Sequence, residues 1–274
     1  LSFSSYGSNN LNETNNLSSD LINDVNYYEN NITRYGFNNN LNINLKNLNT
    51  LGKKSTNYKS SPETELLSLF EINSSLPLVK ESQNYTNYLT PKISFRFNPS
   101  DMKDNSGLGR TISYNNIFSL NRLGLRDTFE SGRSLTIGVN YKREKENLEE
   151  INKFFELNLG TVLRDKEENL IPKSSTINRK QSNLFGSINN KFNDNLEIDY
   201  YFAIDNNLTT FESNYISTTF SNNYLENTFT FSEDNGEMGD ASAFSNSLSY
   251  KISDNNLITF KTRRNRKINL TEYY

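Results

Sequence analysis

LTPKISFRF (89–97) and LEIDYYFAI (196–204) decide how this chain folds, because apolar and polar residues alternate through both. Alternation with a period of two is strand periodicity, since successive strand side chains face opposite sides. In the second stretch Leu196, Ile198, Tyr200, Phe202 and Ile204 point one way, while Glu197, Asp199, Tyr201 and Ala203 point the other. In the first, Leu89, Pro91, Ile93, Phe95 and Phe97 oppose Thr90, Lys92, Ser94 and Arg96. A soluble sheet reads this way, and so does a strand of about 9–11 residues crossing an outer membrane with lipid on one side and water on the other. Pro91, which cannot donate to a ladder, predicts a position near a strand start.

Similar stretches recur: TELLSLFEI (64–72), SLTIGVNYK (134–142), FELNLGTVL (155–163), NLFGSINNKF (183–192), 211–220, YLENTFTF (224–231), FSNSLSYKI (244–252) and LITFKTR (257–263). Almost all are near membrane-crossing length. Short connections such as Asn193-Asp194-Asn195, Ser221-Asn222-Asn223 and Ser253–Asn256 predict hairpins, because Asn, Asp and Ser bond their own turns and tolerate left-handed backbone. Longer connections at 165–180 and 233–243 lie between them, the alternation of short and long turns that outer-membrane barrels show. Counting that parity upstream puts the charged segment KREKENLEEINK (142–153) on the short-turn side, against a regular pattern. The first 63 residues carry only scattered alternation, such as LNINL (41–45). With no helical periodicity, the fold class is an all-β, antiparallel transmembrane β-barrel of roughly eleven to thirteen strands, with 1–274 as one partial barrel domain.

Composition fits a wall with a polar interior. Hydrophobic residues make up 34% and mean hydropathy is −0.75, low for a packed soluble domain. The 16 Tyr and 18 Phe make the apolar surface aromatic, as strands and interfacial girdles favour. No run of 18 apolar residues exists, so any span is β. Without His or Cys there is no imidazole base, thiol nucleophile or thiolate metal site, and enzymatic function and a cofactor are not expected. A net charge of −3 gives no general attraction to nucleic acid. Asn is roughly one residue in six, which points to an AT-rich genome rather than to a function. The start LSFSSYGSNN is neither an initiation site nor a signal peptide, so a fragment or mature piece is expected.

Candidate side chains are few. Lys92, Arg96, Glu197, Asp199 and Asp205 fall on the polar strand faces and are lumen-facing candidates; a solvated wall explains the carboxylates better than acid–base work does. Arg263, Arg264 and Arg266 in KTRRNRK (261–267) are candidate phosphate contacts, although strand parity divides them between two faces. Asp234-Asn235-Gly236-Glu237 lacks the spacing of a Ca²⁺ loop and reads as a loop tip.

One non-alternating segment, FSLNRLGLRDTFESGRSLTIGVNY (118–141), resembles the barrel domain of the LptD family of lipopolysaccharide-assembly proteins, also called organic solvent tolerance proteins. The matching positions are Asn121, Arg122, Gly124, Asp127, Glu130, Arg133 and Gly138. LTPKISFRFNP (89–99), FELNLGTVLRD (155–165), RKQSNLFGSI (179–188), the RRNRK segment and LTEYY look similar in the same order, most like α-proteobacterial members. The resemblance covers about residues 64–274, without that family's N-terminal periplasmic jelly-roll domain and final barrel strands.

The resemblance implies a non-enzymatic translocon in the outer membrane of a Gram-negative bacterium. It would receive lipopolysaccharide (LPS) from a periplasmic Lpt bridge, carry an LptE-like plug lipoprotein and release LPS into the outer leaflet. The competing expectations are another outer-membrane porin or receptor barrel, and a secreted Asn-rich β-sheet adhesin, whose sheets would pack face to face.

Overall fold

The computed structural model describes residues 1–12, 15–56, 58–146, 151–253 and 256–274. It forms one antiparallel sheet of 15 strands. These are β1 (Ser2–Asn12), β2 (Asn16–Ile32), β3 (Asn38–Lys53), β4 (Glu63–Ser75), β5 (Leu78–Ser82), β6 (Tyr85–Asn98), β7 (Gly132–Glu146) and β8 (Ile151–Arg164). There follow β9 (Leu184–Asn193), β10 (Leu196–Ile204), β11 (Phe211–Ser221), β12 (Leu225–Asp234), β13 (Ala241–Ser253), β14 (Asn256–Asn265) and β15 (Leu270–Tyr273). Strand order in the sheet follows chain order, with β5 paired to β6 beyond the end of β4. Among the described residues the strand order ends at β1 and β15 without closing, and no helix is long and apolar enough to cross a membrane.

The 15 strands exceed the eleven to thirteen read from the sequence, chiefly because β1, β2, β5 and β15 fall outside its alternating stretches. Residues 2–53 form β1, β2 and β3, two of them among the longest strands, because backbone pairing tolerates the Asn-rich pattern that obscured the alternation. The charged segment 142–153 is largely strand: β7 reaches Glu146 and β8 starts at Ile151, leaving 147–150 outside the described residues. Every second connection is then short, from 33–37 through 83–84, 194–195 and 222–224, and the long ones alternate with them from 54–62 to 235–240, while the outermost connections, 13–15 and 266–269, are short as well. Pro91 sits mid-strand, not at a strand start. Its carbonyl accepts from the Leu76 amide at 3.1 Å, so its missing N–H faces the Leu76–Pro77 break between β4 and β5, and no ladder bond is lost there.

The two faces of the sheet differ in kind. On one, apolar side chains stand bare: Leu66 is 71% exposed, Ile72 53%, Ile93 44% and Phe95 45%. On the other face the neighbours of Ile72, Ile93 and Phe95 are polar and covered, with Glu71 1%, Ser94 0% and Arg96 3% exposed, and Leu67 and Leu69 there pack with Phe129 of the connection 99–131. This is the reverse of a soluble sheet, where the apolar face is the buried one. Tyr35, Phe192, Phe220, Tyr224 and Tyr250 stand exposed near the short turns, where an aromatic girdle would lie.

Candidate functional site

The polar face is covered by two irregular connections, 99–131 between β6 and β7 and 165–183 between β8 and β9. Neither alternates, and both are punctuated by Asn, Ser and Pro, the first also by Gly, so they turn rather than extend. Asn121 shows how: its side chain donates to the Leu125 carbonyl at 2.6 Å and accepts from the Leu125 amide at 3.0 Å, closing a turn in which Gly124 takes φ +62°. Met102, Ile112, Tyr114, Ile117, Leu123 and Leu125 of the first segment pack with Ile171 and Ile177 of the second and with Val162 and Phe185 of the wall. The apolar core is therefore built mainly by the two connections, and the first acts as a strap across the sheet.

A buried ionic clasp fixes the strap. Glu130 accepts from Arg122 Nε at 2.7 Å and from Arg122 Nη2 and Arg164 Nη1, each at 2.5 Å. Arg122 also donates to Thr136 Oγ1 and Ser134 Oγ on β7, both at 3.0 Å, and Arg164 to the Ser131 carbonyl. Arg96 on β6 donates to the strap carbonyls of Ser119, at 2.7 Å, and Leu120, and lies 3.8 Å from Glu71 of β4. These charges are taken from water only because each has ionic or carbonyl partners. Burial works to raise the Glu130 carboxyl, but the guanidinium groups of Arg122, Arg96 and Arg164 outweigh it and hold the group down at about 2.

Glycines receive the strap's rings. Gly138 of β7 and Gly160 of β8 are paired in register, and a Cβ on Gly138 would stand 2.7 Å from the Phe118 ring and 2.8 Å from the Leu159 carbonyl. Tyr114 lies over Gly160, and the Tyr114 and Phe118 rings meet edge to face at 6.0 Å. Strand glycines thus make a dent that the two aromatic side chains fill. At its far end the strap reaches the first hairpin: Arg126 pairs with Asp20 at 2.8 Å and donates to Ser8 at 3.3 Å, while Phe129 lies 5.3 Å from Lys46 Nζ, itself paired to Asp24 at 2.7 Å.

Lys92 and Arg96 point from β6 to the covered face and touch the strap, Lys92 lying 6.0 Å from the Phe118 ring centre. Glu197 and Asp199 share that face on β10, apart from the strap; Asn189 donates to Asp199 at 2.6 Å. Asp205 falls outside the strand. It opens the β10–β11 turn, where the amides of Thr210, at 2.8 Å, and Thr209, at 2.6 Å, donate to its carboxylate and lower its pKa. Arg263 and Arg264 occupy opposite faces of β14, and Arg264 donates to Asn269 at 2.7 Å. Arg266 lies beyond the strand and donates to Ser242 at 3.2 Å. The three arginines are not gathered at one point. Arg164, Gly160 and Tyr114 complete the strap's docking site, and no local sequence signal set them apart from other wall or loop residues. Among the described residues no His, Cys, Asp and Glu group is assembled for a metal ion.

The motif that carried the family resemblance is now physically explained. Asn121 and Gly124 shape the turn, Arg122 and Glu130 make the clasp, Asp127 pairs with Lys103 at 3.0 Å, and Gly138 receives Phe118. No curated protein matches the chain. A family model described as LptD, LPS transport system D, matches residues 33–256, which include the strap, its clasp and most of the wall. With that match over most of its length, the chain belongs to the LptD family of LPS transport proteins.

Proposed function

We propose that this chain is wall and strap of a non-enzymatic translocon that places LPS in the outer leaflet of a Gram-negative outer membrane. The observation that carries the reading is the inverted sheet: an apolar bare face suited to lipid, and a polar face crossed by an ionically clasped strap. A polar interior offers hydrogen bonds to sugars and phosphates that would otherwise cross hydrocarbon unpartnered. Lys92, Arg96, Glu197 and Asp199 belong to that interior in this reading. A plug lipoprotein of the LptE type and the periplasmic Lpt bridge are its partners, and the strap narrows the space they leave.

Depleting the full-length protein in its host and labelling surface LPS tests this. Loss of newly made surface LPS, with the protein in the outer-membrane fraction and heat-modifiable in gels, is expected. A protein that stays soluble without detergent, or surface LPS that continues to appear after depletion, would defeat it.

A further inference from the structure

Strand β7 presents Leu135, Ile137, Val139 and Tyr141 to the bare face, and this apolar run is closed at both ends by arginine: Arg133 before it and Arg143 after it. The two are ten positions apart, about 33 Å along a strand at roughly 3.3 Å per residue, or about 25 Å along the membrane normal at a tilt near 40°. That is the height of the apolar band of an outer-membrane barrel. Arg133 therefore marks the rim on the long-connection side and Arg143 the rim on the short-turn side. Among the described residues neither has an acidic partner; Arg133 lies 5.3 Å from the Phe97 ring and Arg143 4.0 Å from the Tyr85 ring.

The Arg143 rim is also hollowed. A shallow pocket of about 220 Å³ opens among Tyr85, Arg143, Phe154, Phe155, Asn190, Lys191 and Phe192, so that a lysine lines it beside the arginine. Tyr85 lies over the guanidinium, and among the described residues the guanidinium N–H groups make no hydrogen bond, so the side chain is held in place with donors to give. A planar fork with free donors fits phosphate oxygens, and the aromatic walls fit glycerol and the upper acyl chain. The asparagine amide supplies a further donor.

We propose that this pocket binds the phosphate of a membrane phospholipid in the leaflet on the short-turn side, fixing the depth at which the wall sits. The inference rests on the membrane reading above. It concerns the lipid around the barrel, not the substrate passing through it.

The test uses the full-length protein in mixed phosphatidylethanolamine–phosphatidylglycerol vesicles, released into mild detergent and weighed intact with its retained phospholipid. Heat-modifiable mobility is followed in parallel. Wild type is expected to keep phospholipid, and Arg143→Gln to keep about ten-fold less, the scale of one charge-assisted phosphate bond. Tyr85→Leu, which leaves the charge but removes its platform, is expected to fall between them and serves if Arg143→Gln does not insert. Arg110→Gln on the strap should retain lipid as wild type does. Equal retention by wild type and inserted Arg143 and Tyr85 variants overturns the site. Failure of wild type itself to insert overturns the membrane reading instead.

Discussion

Replacing Glu130 with Gln keeps the shape of the strap's clasp and removes its central charge. Arg122 and Arg164, each 2.5 Å from the same carboxylate oxygen, are then left buried beside a neutral amide. Removing one partner of a buried ion pair costs about 3–5 kcal/mol. The carboxyl's own titration gives a similar figure: a pKa lowered from 4.5 to about 2 corresponds to about 3 kcal/mol of preference for the ionised, docked state. The wall keeps its ladder, so the loss falls on the docking of 99–131. Hydrogen exchange at strap amides such as Leu125 should quicken roughly a hundred-fold, since each 1.4 kcal/mol is about ten-fold, while amides of β7 and β8 stay protected.

Exchange measured by mass spectrometry on the full-length protein in detergent reads both regions at once. Strap exchange within about three-fold of wild type, with the barrel intact, would refute the reasoning. The pH dependence follows with a definite sign. Because the folded-state pKa lies below the ordinary value, the stabilisation is complete above about pH 4.5 and is lost as pH falls toward 2. Wild type should lose strap protection in that window, and the Gln variant should not show this step.

The remaining predictions concern the wall and the strap's edges. Ile198→Arg puts a charge on the bare face of β10 and should weaken folding into bilayers by about 2–4 kcal/mol if the site is near the midplane; urea titration in vesicles reads this, and unchanged stability would reverse the assigned face. Gly138→Val should displace Phe118, costing about 1–3 kcal/mol and raising proteolysis of the strap, whereas wild-type resistance would mean that the dent does not hold the ring. Asp127→Asn breaks a half-exposed pair with Lys103 and should shift stability by less than about 1 kcal/mol in the same titration; a larger loss would show that the pair is coupled to the clasp.

Strand identity and side-chain parity could be read from Leu89–Phe97 and Leu196–Ile204 because a period of two is a local property, and a one-residue shift would exchange the faces. The outer rows Ile93 and Phe95, Ile198 and Tyr200 followed directly. Asp205 was misplaced because parity continues in a sequence after a strand has ended, and only the hydrogen bonds from Thr209 and Thr210 mark the turn. Strands within residues 2–53 were hidden for the opposite reason: Asn contributes little hydrophobic contrast, yet its backbone pairs as well as any other.

The local alternation of residue types thus fixed the fold class and the two faces, and the order of Asn121, Arg122, Asp127 and Glu130 pointed to the family. The job of that motif was decided only in three dimensions. Arg122 and Glu130 are close in the chain, but Arg164, Arg96 and Gly160 reach the same place from other strands, brought there by register. A buried charge is tolerable only where its partners converge, and that convergence belongs to the assembled sheet and strap, beyond any local pattern.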